Sequence, residues 1–414
     1  MLLEAYIKIE FGHLDEKITK GVFLKVLFMQ HVSVLGGSSR SLLELINNLP
    51  KDVEPTVLCP KGKYSDLLRS HGIKTHTIIG MPQFNNTMVG HYKGLRWLIL
   101  LREIFYLPFF FLKILSLRKE KFDIVHINEI TLIYSLILSK LLLSKTVMHV
   151  RVMMCTKKNL RYKFLLNIFK KYADQIIVID ESVKSSLDDS LSVNIIHNGM
   201  SIDNVNIKKV HRDKFTVGIV ANFQRYKGIL EFIDAANICI NEKKLDINFN
   251  IYGGEYNHTK SMKERIFQII GFREDMDTIV KDKLKKYALG DYLTLKGYIH
   301  QSDDIYNNID LLTFPSHLNA VGRPVFEASF YSIPSIIAIK DKFDDTIINN
   351  VTGICIKEKD PVALANAIEK LYLDRSLFSS MGSESYKLAN TLYNSRKNSL
   401  EVYDIYNKLL KQGK

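Results

Sequence analysis

Cysteine is scarce in this 414-residue chain: Cys59, Cys155, Cys239 and Cys355 stand far apart, with no CxxC spacing. That excludes a disulfide framework and a cysteine-built metal site, and it fits a reducing, cytosolic compartment. No basic segment followed by an apolar core opens the sequence, so MLLEAYIKIEFGHLDEK does not read as a signal peptide. Long uncharged apolar runs are missing too. The nearest, Leu95 to Leu117, is interrupted by Arg96, Arg102, Glu103 and Lys113, while Ile130 to Ser139 falls short of the roughly 20 apolar residues a spanning helix needs. There is no short-period repeat, Cys/His finger, RNP-like aromatic strand or basic zipper, so no nucleic acid is expected as a partner. What remains is a soluble globular composition, 46% hydrophobic and 24% charged, long enough for about two or three domains.

Acidic residues are in short supply as well, 44 against 57 Lys+Arg, for a net charge of +13. Nearly all of that excess falls between His91 and Tyr172, where 16 basic residues meet 4 acids. On charge alone the stretch reads as solvated helix faces. Trp97, Phe105, Tyr106, Phe109, Phe110 and Phe111 accompany the cations, and that mixture suits a surface lying on an anionic bilayer. Both readings stand at this stage.

The apolar pattern is that of an α/β protein. Val22 to Met29 is a run of strand length, followed by the loop QHVSVLGGSSRS and by LLELINNL at helical spacing. Strand-like runs recur at 55–60, 74–79, 123–128, 145–152, 175–180 and 193–199. After the charged stretch Ser201 to Lys214 the pattern restarts with FTVGIVAN, a loop FQRYKG and a helix over Ile229 to Glu242, then runs at 247–255, 292–299, 309–316, 334–339 and 353–357. Two doubly wound, Rossmann-like halves follow from this order. Leu400, Tyr403, Tyr406, Leu409 and Leu410 predict a C-terminal helix with one apolar stripe. The expected boundaries are an N-terminal extension at 1–21, one half at 22–200, a second at 201–390 and a terminal helix at 391–414.

One long segment carries a specific resemblance. FPSHLNAVGRPVFEASFYSIPSIIAI, preceded by GYIHQSDDIYNNIDLL and followed by NNVTGICIKEKDPVALANAIEKLYLD, resembles the C-terminal half of family 4 glycosyltransferases of the GT-B fold. ANFQRYKG, IYGG, HNG and the early GG pair support it over about residues 22 to 410. The resemblance implies two Rossmann-like domains facing a cleft, with the C-terminal helix packing back toward the first. It implies a retaining transferase that uses a nucleoside diphosphate sugar, UDP- or GDP-linked, as donor substrate and needs no other cofactor. A lipid-linked or surface-polysaccharide acceptor at the inner face of a bacterial membrane completes the picture.

The chemistry asked of such a site is stabilisation of negative charge growing on the diphosphate as the anomeric bond breaks. No DxD carboxylate pair stands at a strand end, so a metal-free site of cations and helix N-termini is expected. Lys227 and Gly228 end the loop after a buried strand, where Lys can meet a diphosphate and Gly permits close approach. A solvated loop cation is the plainer reading of Lys227. Where the family often carries Arg, five positions before this Lys, the chain has Asn222, and Arg225 is the candidate second cation.

By resemblance, Glu327 accepts hydrogen bonds from the donor ribose, and Ala320, Val321, Gly322 and Arg323 present backbone amides to the donor sugar and phosphate. Asn319 replaces the first glutamate of the family's paired-glutamate motif, eight positions before Glu327. Gly253 and Gly254 leave room for base or phosphate, or simply form a turn. In the first half, Gly36 and Gly37 can approach phosphate and sugar, with Ser38 and Ser39 as capping hydroxyls. A sugar-contacting histidine of many relatives falls on His149 or on Arg151, and His126 reads as a satisfied buried histidine. A non-catalytic binding protein and a sugar-nucleotide epimerase of the same fold are the alternatives.

Overall fold

Each of the thirteen strands in the described residues falls on an apolar run of the sequence. The computed structural model describes residues 23–88, 92, 97–155, 160–201, 205–207, 213–254, 275–299, 301–340 and 343–412. The extension expected at residues 1–21 lies outside them, as do Lys93, Arg96, Lys157, Lys158 and most of the charged stretch after Ser201. The chain divides into two units, one running to Gly199 and resuming at Ser395, the other spanning Met200–Asn394.

The first unit holds β1 (Leu24–Met29), β2 (Val53–Pro60), β3 (Lys74–Ile78), β4 (Ile124–Ile127), β5 (Lys145–Val150), β6 (Gln175–Val178) and β7 (Val193–Ile195). They form one sheet in the order β3-β2-β1-β4-β5-β6-β7, and every pairing is parallel. Successive side chains point to opposite faces. Val26, Phe28, Ile124, Val147 and Ile177 pack with Leu42 and Leu45 of the Gly37–Asn47 helix and with the C-terminal helix, Ser395–Lys411. Leu27, Met29, Val125, Ile127, Met148 and Val150 pack with the helices Ile99–Leu117, Ile133–Leu138 and Leu160–Tyr172. Burial on both faces is why these strands read as continuous apolar runs.

The C-terminal helix buries Tyr403, Tyr406 and Leu409 of its expected stripe and packs Leu410 against the same core, so that Leu400 alone departs from it. Its buried apolar residues are Val402, Tyr403, Ile405, Tyr406 and Leu409, whereas Leu400 is 37% exposed. The contacts offered by the sheet and the Gly37–Asn47 helix widen the covered face to Val402 and Ile405.

The second unit repeats the topology with β8 (Phe215–Val220), β9 (Ile247–Tyr252), β10 (Leu293–Gly297), β11 (Leu311–Phe314), β12 (Ser335–Ala338) and β13 (Gly353–Ile356), in the order β10-β9-β8-β11-β12-β13. Asp360 and Asp374 cap the helices Pro361–Leu373 and Arg375–Leu392 by accepting from the Ala363 and Leu377 N–H groups at 2.8 and 2.9 Å. In each sheet the winding reverses beside the first strand, between β1 and β4 and between β8 and β11. Open α/β sheets bind ligands outside the carboxyl ends of the strands at that point.

Candidate active site

In the second unit the carboxyl ends of β8, β9, β10 and β11 are laced together by close backbone approaches. Gly228 has φ +77°, and a Cβ there would sit 1.9 Å from the Pro315 carbonyl oxygen. Glycine is required on both counts, strain and space. Gly253, at φ +112°, lies against the Ala221 carbonyl and donates its N–H to the Gly297 oxygen at 2.7 Å, while Gly254 abuts the Phe223 ring. Ser316 Oγ and the His317 N–H both donate to the Tyr226 oxygen, at 3.2 and 2.8 Å, and the His317 Nε2 meets Glu231 at 2.9 Å.

Lys227 closes the one-turn helix Arg225–Lys227 at the centre of this lacing. Its Nζ lies 5.4 Å from the Tyr226 ring centroid and 5.7 Å from that of Phe314. No carboxylate or other hydrogen-bond partner meets it among the described residues, and desolvation pushes its pKa down. Gly322 belongs to the same cluster, since a Cβ there would press on the far end of the Phe314 ring at 2.4 Å. Gly322 opens the helix Arg323–Phe330 without a side-chain cap; Pro324 carries no N–H, and the Val325 N–H donates to the Gly322 oxygen at 3.1 Å.

Glu327 is buried on that helix at 4% exposure. One carboxylate oxygen accepts from Arg323 Nε at 2.5 Å and the other from the Tyr306 hydroxyl at 2.7 Å. Asn319 Oδ1 accepts the Lys340 N–H at 2.9 Å, which ties the Ala320–Gly322 loop to the end of β12. Asn222 is exposed, and Arg225 stands beside Lys227 on the same turn.

In the first unit Gly36 and Gly37 are exposed at the start of the Gly37–Asn47 helix, and a Cβ at either would meet nothing within 4 Å. Ser39, not Ser38, supplies the capping hydroxyl, which accepts the Gly36 N–H at 2.7 Å. A chain of polar contacts then crosses the strand ends. Asn128 Nδ2 donates to the Ser38 oxygen at 3.4 Å, Arg151 Nε donates to Asn128 Oδ1 at 2.6 Å, and Arg151 Nη1 donates to Asn198 Oδ1.

His149 and Arg151 are 3% and 8% exposed, beneath the C-terminal helix rather than open to solvent. Arg151 Nη2 approaches His149 Nδ1 at 3.3 Å, His126 Nε2 approaches the same atom at 3.1 Å, and Tyr406 Oη stands 2.7 Å from His126 Nδ1. Arginine only donates, so His149 Nδ1 accepts and its proton sits on Nε2. Burial pushes His126 down to about 3 and His149 well below its ordinary value, helped in both by the Arg151 charge, so both rings are neutral.

Asn128 and Glu129 escaped the sequence reading, because a polar pair after a strand resembles any loop. Glu129 follows β4 at the winding reversal and is 4% exposed. Burial pushes its carboxyl up to about 7, against the opposing effect of the Ile130 and Arg151 N–H groups and the Arg151 charge.

Two Rossmann-like units, each with its winding reversal beside the first strand, define an α/β protein of the GT-B fold. Residues 202–388 match the family model of glycosyl transferases group 1, and residues 35–204 match that of glycosyltransferase family 4. The chain belongs to these glycosyltransferases. Its sequence is 26% identical over 280 residues to the capsular polysaccharide biosynthesis glycosyltransferase CapM of Staphylococcus aureus, covering 62% of this chain and 68% of CapM. Among solved structures, Anabaena HepE in complex with UDP-glucose has a TM-score of 0.71 at 15% identity, covering 93% of this chain and 100% of HepE. Staphylococcus aureus TarM, solved with UDP and alpha-GlcNAc-glycerol, has a TM-score of 0.65 at 14% identity, with 93% and 100% covered.

Proposed function

We propose that this glycosyltransferase acts with retention and without a metal, moving a sugar from a UDP- or GDP-linked donor to a lipid-linked or surface-polysaccharide acceptor at the cytoplasmic face of the membrane. The observation that carries the reading is Lys227, a desolvated cation with no carboxylate partner among the described residues at the winding reversal of the second unit. An uncompensated buried charge is costly unless a ligand of opposite sign completes it, and a diphosphate is such a ligand. The naming of CapM for capsular polysaccharide, UDP-glucose in HepE, and UDP with alpha-GlcNAc-glycerol in TarM support donor and acceptor classes.

In this reading residues 201–390 hold the donor and residues 22–200 the acceptor. As the anomeric C–O bond breaks, negative charge grows on the leaving diphosphate. The Lys227 ammonium, with Arg225 beside it and the N–H groups of Val321, Gly322 and Arg323, meets that charge in place, while the Ala320 N–H is given to the Leu318 oxygen at 2.7 Å. Glu327, held by Arg323 and Tyr306, accepts from the donor ribose, and Asn319 fixes the amide loop. Gly253, Gly254 and Gly228 let backbone approach base and phosphate, and exposed Asn222 edges the same turn. The acceptor hydroxyl attacks the face the leaving group departs, and its proton passes to the departing phosphate oxygen. Gly36 and Gly37 admit the transferred sugar closely, and Arg151 with His149 holds the strand ends beneath them.

The membrane part rests on the helix Ile99–Leu117. It is apolar nearly all round, yet only Glu103, Phe110, Ile114 and Leu117 are buried. Leu101, Ile104, Phe105, Phe109 and Leu112 are between 47% and 65% exposed. Exposed Arg118, Lys119 and Lys121 follow directly, so apolar bulk and positive charge share one end of the layer. Among the described residues no helix is long and apolar enough to cross a membrane, and a helix lying in an anionic interface needs only this mixture.

The test is incubation with UDP-glucose, GDP-mannose and other nucleotide sugars, with chelator present, and with membrane lipid extract as acceptor. Transfer of label into a lipid fraction with the anomeric configuration kept is the expected outcome. Inversion, or transfer that stops on chelation, contradicts the proposed mechanism.

A further inference from the structure

Among the described residues, the second sheet is not covered evenly on its two faces. On one, Phe215, Val217, Ile219, Ile247, Phe249, Ile251 and Leu293 pack into the main core of the unit. On the other, the same strands present Thr216, Asn248, Asn250, Thr294 and Lys296. Buried parallel strands are ordinarily apolar on both sides. Here β9 and β10 alternate as strands do when one face is wet, and the helix that follows β10 among the described residues, Ser302–Tyr306, has five residues.

The result is a depression of about 440 Å³, floored by Thr216, Asn250 and Tyr252 and walled by Asn248, Thr294, Lys296 and Asp304. Thr216 and Asn250 are 5% and 8% exposed. Thr216, Asn248 and, on the rim, Asp291 belong to the amino ends of their strands, whereas Lys227, Gly253 and Gly322 lie at carboxyl ends. Five residues of strand separate Asn248 from Gly253, about 17 Å.

We infer that this depression is a second carbohydrate site, which holds a neutral stretch of the acceptor or product glycan away from the point of transfer. The side chains of Asn248, Thr294, Lys296, Asp291 and Asp304 make no hydrogen bond within the described structure, and Asn250 uses only one amide proton, toward the Tyr252 hydroxyl at 3.2 Å. A group of unengaged amides, hydroxyls and carboxylates matches a ligand whose every hydroxyl both donates and accepts. Two carboxylates against one ammonium disfavour a phosphate or an acidic polymer. The volume falls in the range of small-ligand sites, about 300–1,000 Å³, and the open side lets a chain continue beyond it.

The inference rests on the saccharide acceptor proposed above, and the experiment separates the two. Wild type and an Asn248→Ala/Lys296→Ala double variant are applied to an array of bacterial capsule, teichoic-acid and lipopolysaccharide-core oligosaccharides, and the thermal shift with UDP-glucose is measured on the same samples. Thr294→Trp, which fills the depression from an exposed position, serves as an independent block. The expected result is retention of wild type on at least one neutral glycan, at least tenfold weaker in both variants, with the donor shift unchanged in all three. Retention equal in wild type and variants overturns the site. So does a wild type that shifts with donor yet is retained by no glycan. A wild type that is retained and blocked as described but transfers to no saccharide acceptor overturns the acceptor reading alone.

Discussion

The two units share a strand order and use polar residues at the winding reversal in opposite ways. In the first, His126, His149, Arg151, Asn128, Asn198 and Tyr406 are bonded to one another. In the second, a desolvated Lys227 has no acid beside it among the described residues and a helix begins without a side-chain cap. One topology therefore supports a polar core bonded largely within itself in one copy, where the buried His149 Nε2 is left without a partner among the described residues, and an incomplete, ligand-seeking one in the other. Fold alone does not say which, because function lives in the site placed on it.

The sharpest way to break this comparison is at its open side. Replacing Lys227→Met should lower transfer by about 10²- to 10³-fold, the usual loss for one electrostatic stabiliser. The melting temperature should hold or rise, because the variant removes a buried charge that nothing in the free protein compensates. Turnover with melting curves checks both. A variant that loses activity and stability together would place Lys227 among structural cations.

Next in size is a glycine contrast. Gly228→Ala meets both a positive φ and the Pro315 oxygen and should cost about 3 kcal/mol or more, while Gly36→Ala has φ −138° and empty space and should stay within about 0.5 kcal/mol. Urea unfolding of both variants gives the two numbers. Lost transfer in the stable Gly36→Ala protein would assign that glycine to ligand approach.

The closed side is tested through protons. Glu129 has its folded pKa raised from 4.5 to about 7, so its favourable contribution is complete below pH 4.5 and is lost as pH rises through 7. Glu129→Gln does not titrate, and the stability of wild type relative to it should fall by on the order of 3 kcal/mol between pH 4.5 and 8. Trp97, the single tryptophan, lies in the first unit and reports its unfolding by fluorescence. A difference that is flat with pH would mean that Glu129 is charged throughout. Smaller again is Tyr406→Phe, which strands His126 Nδ1 and should cost about 1–3 kcal/mol in the same assay.

Much of the fold was legible because parallel strands buried on both faces advertise themselves as apolar runs, and the glycines at 228, 253 and 254 mark strand ends that only glycine can make. The site was legible where local sequence sets it: Lys227 after a strand, Gly322 before a helix. Partners distant in sequence were not. Tyr306 lies 21 residues from Glu327, and nothing local says that its hydroxyl reaches that carboxylate. His149 and Arg151 share a face of β5, but that Tyr406 closes over them depends on which stripe of the C-terminal helix is buried. The alternation in NFNIY and LTLKG was visible in the sequence, yet only the uncovered sheet face gives it meaning.

The most direct test is calorimetric titration of UDP and UDP-glucose into wild type and Lys227→Met, with chelator present. If Lys227 is the cation that a diphosphate completes, the variant binds both at least tenfold more weakly, with its fold intact. Equal affinity in the two proteins would contradict the claim that the second unit's winding reversal is left open for the donor.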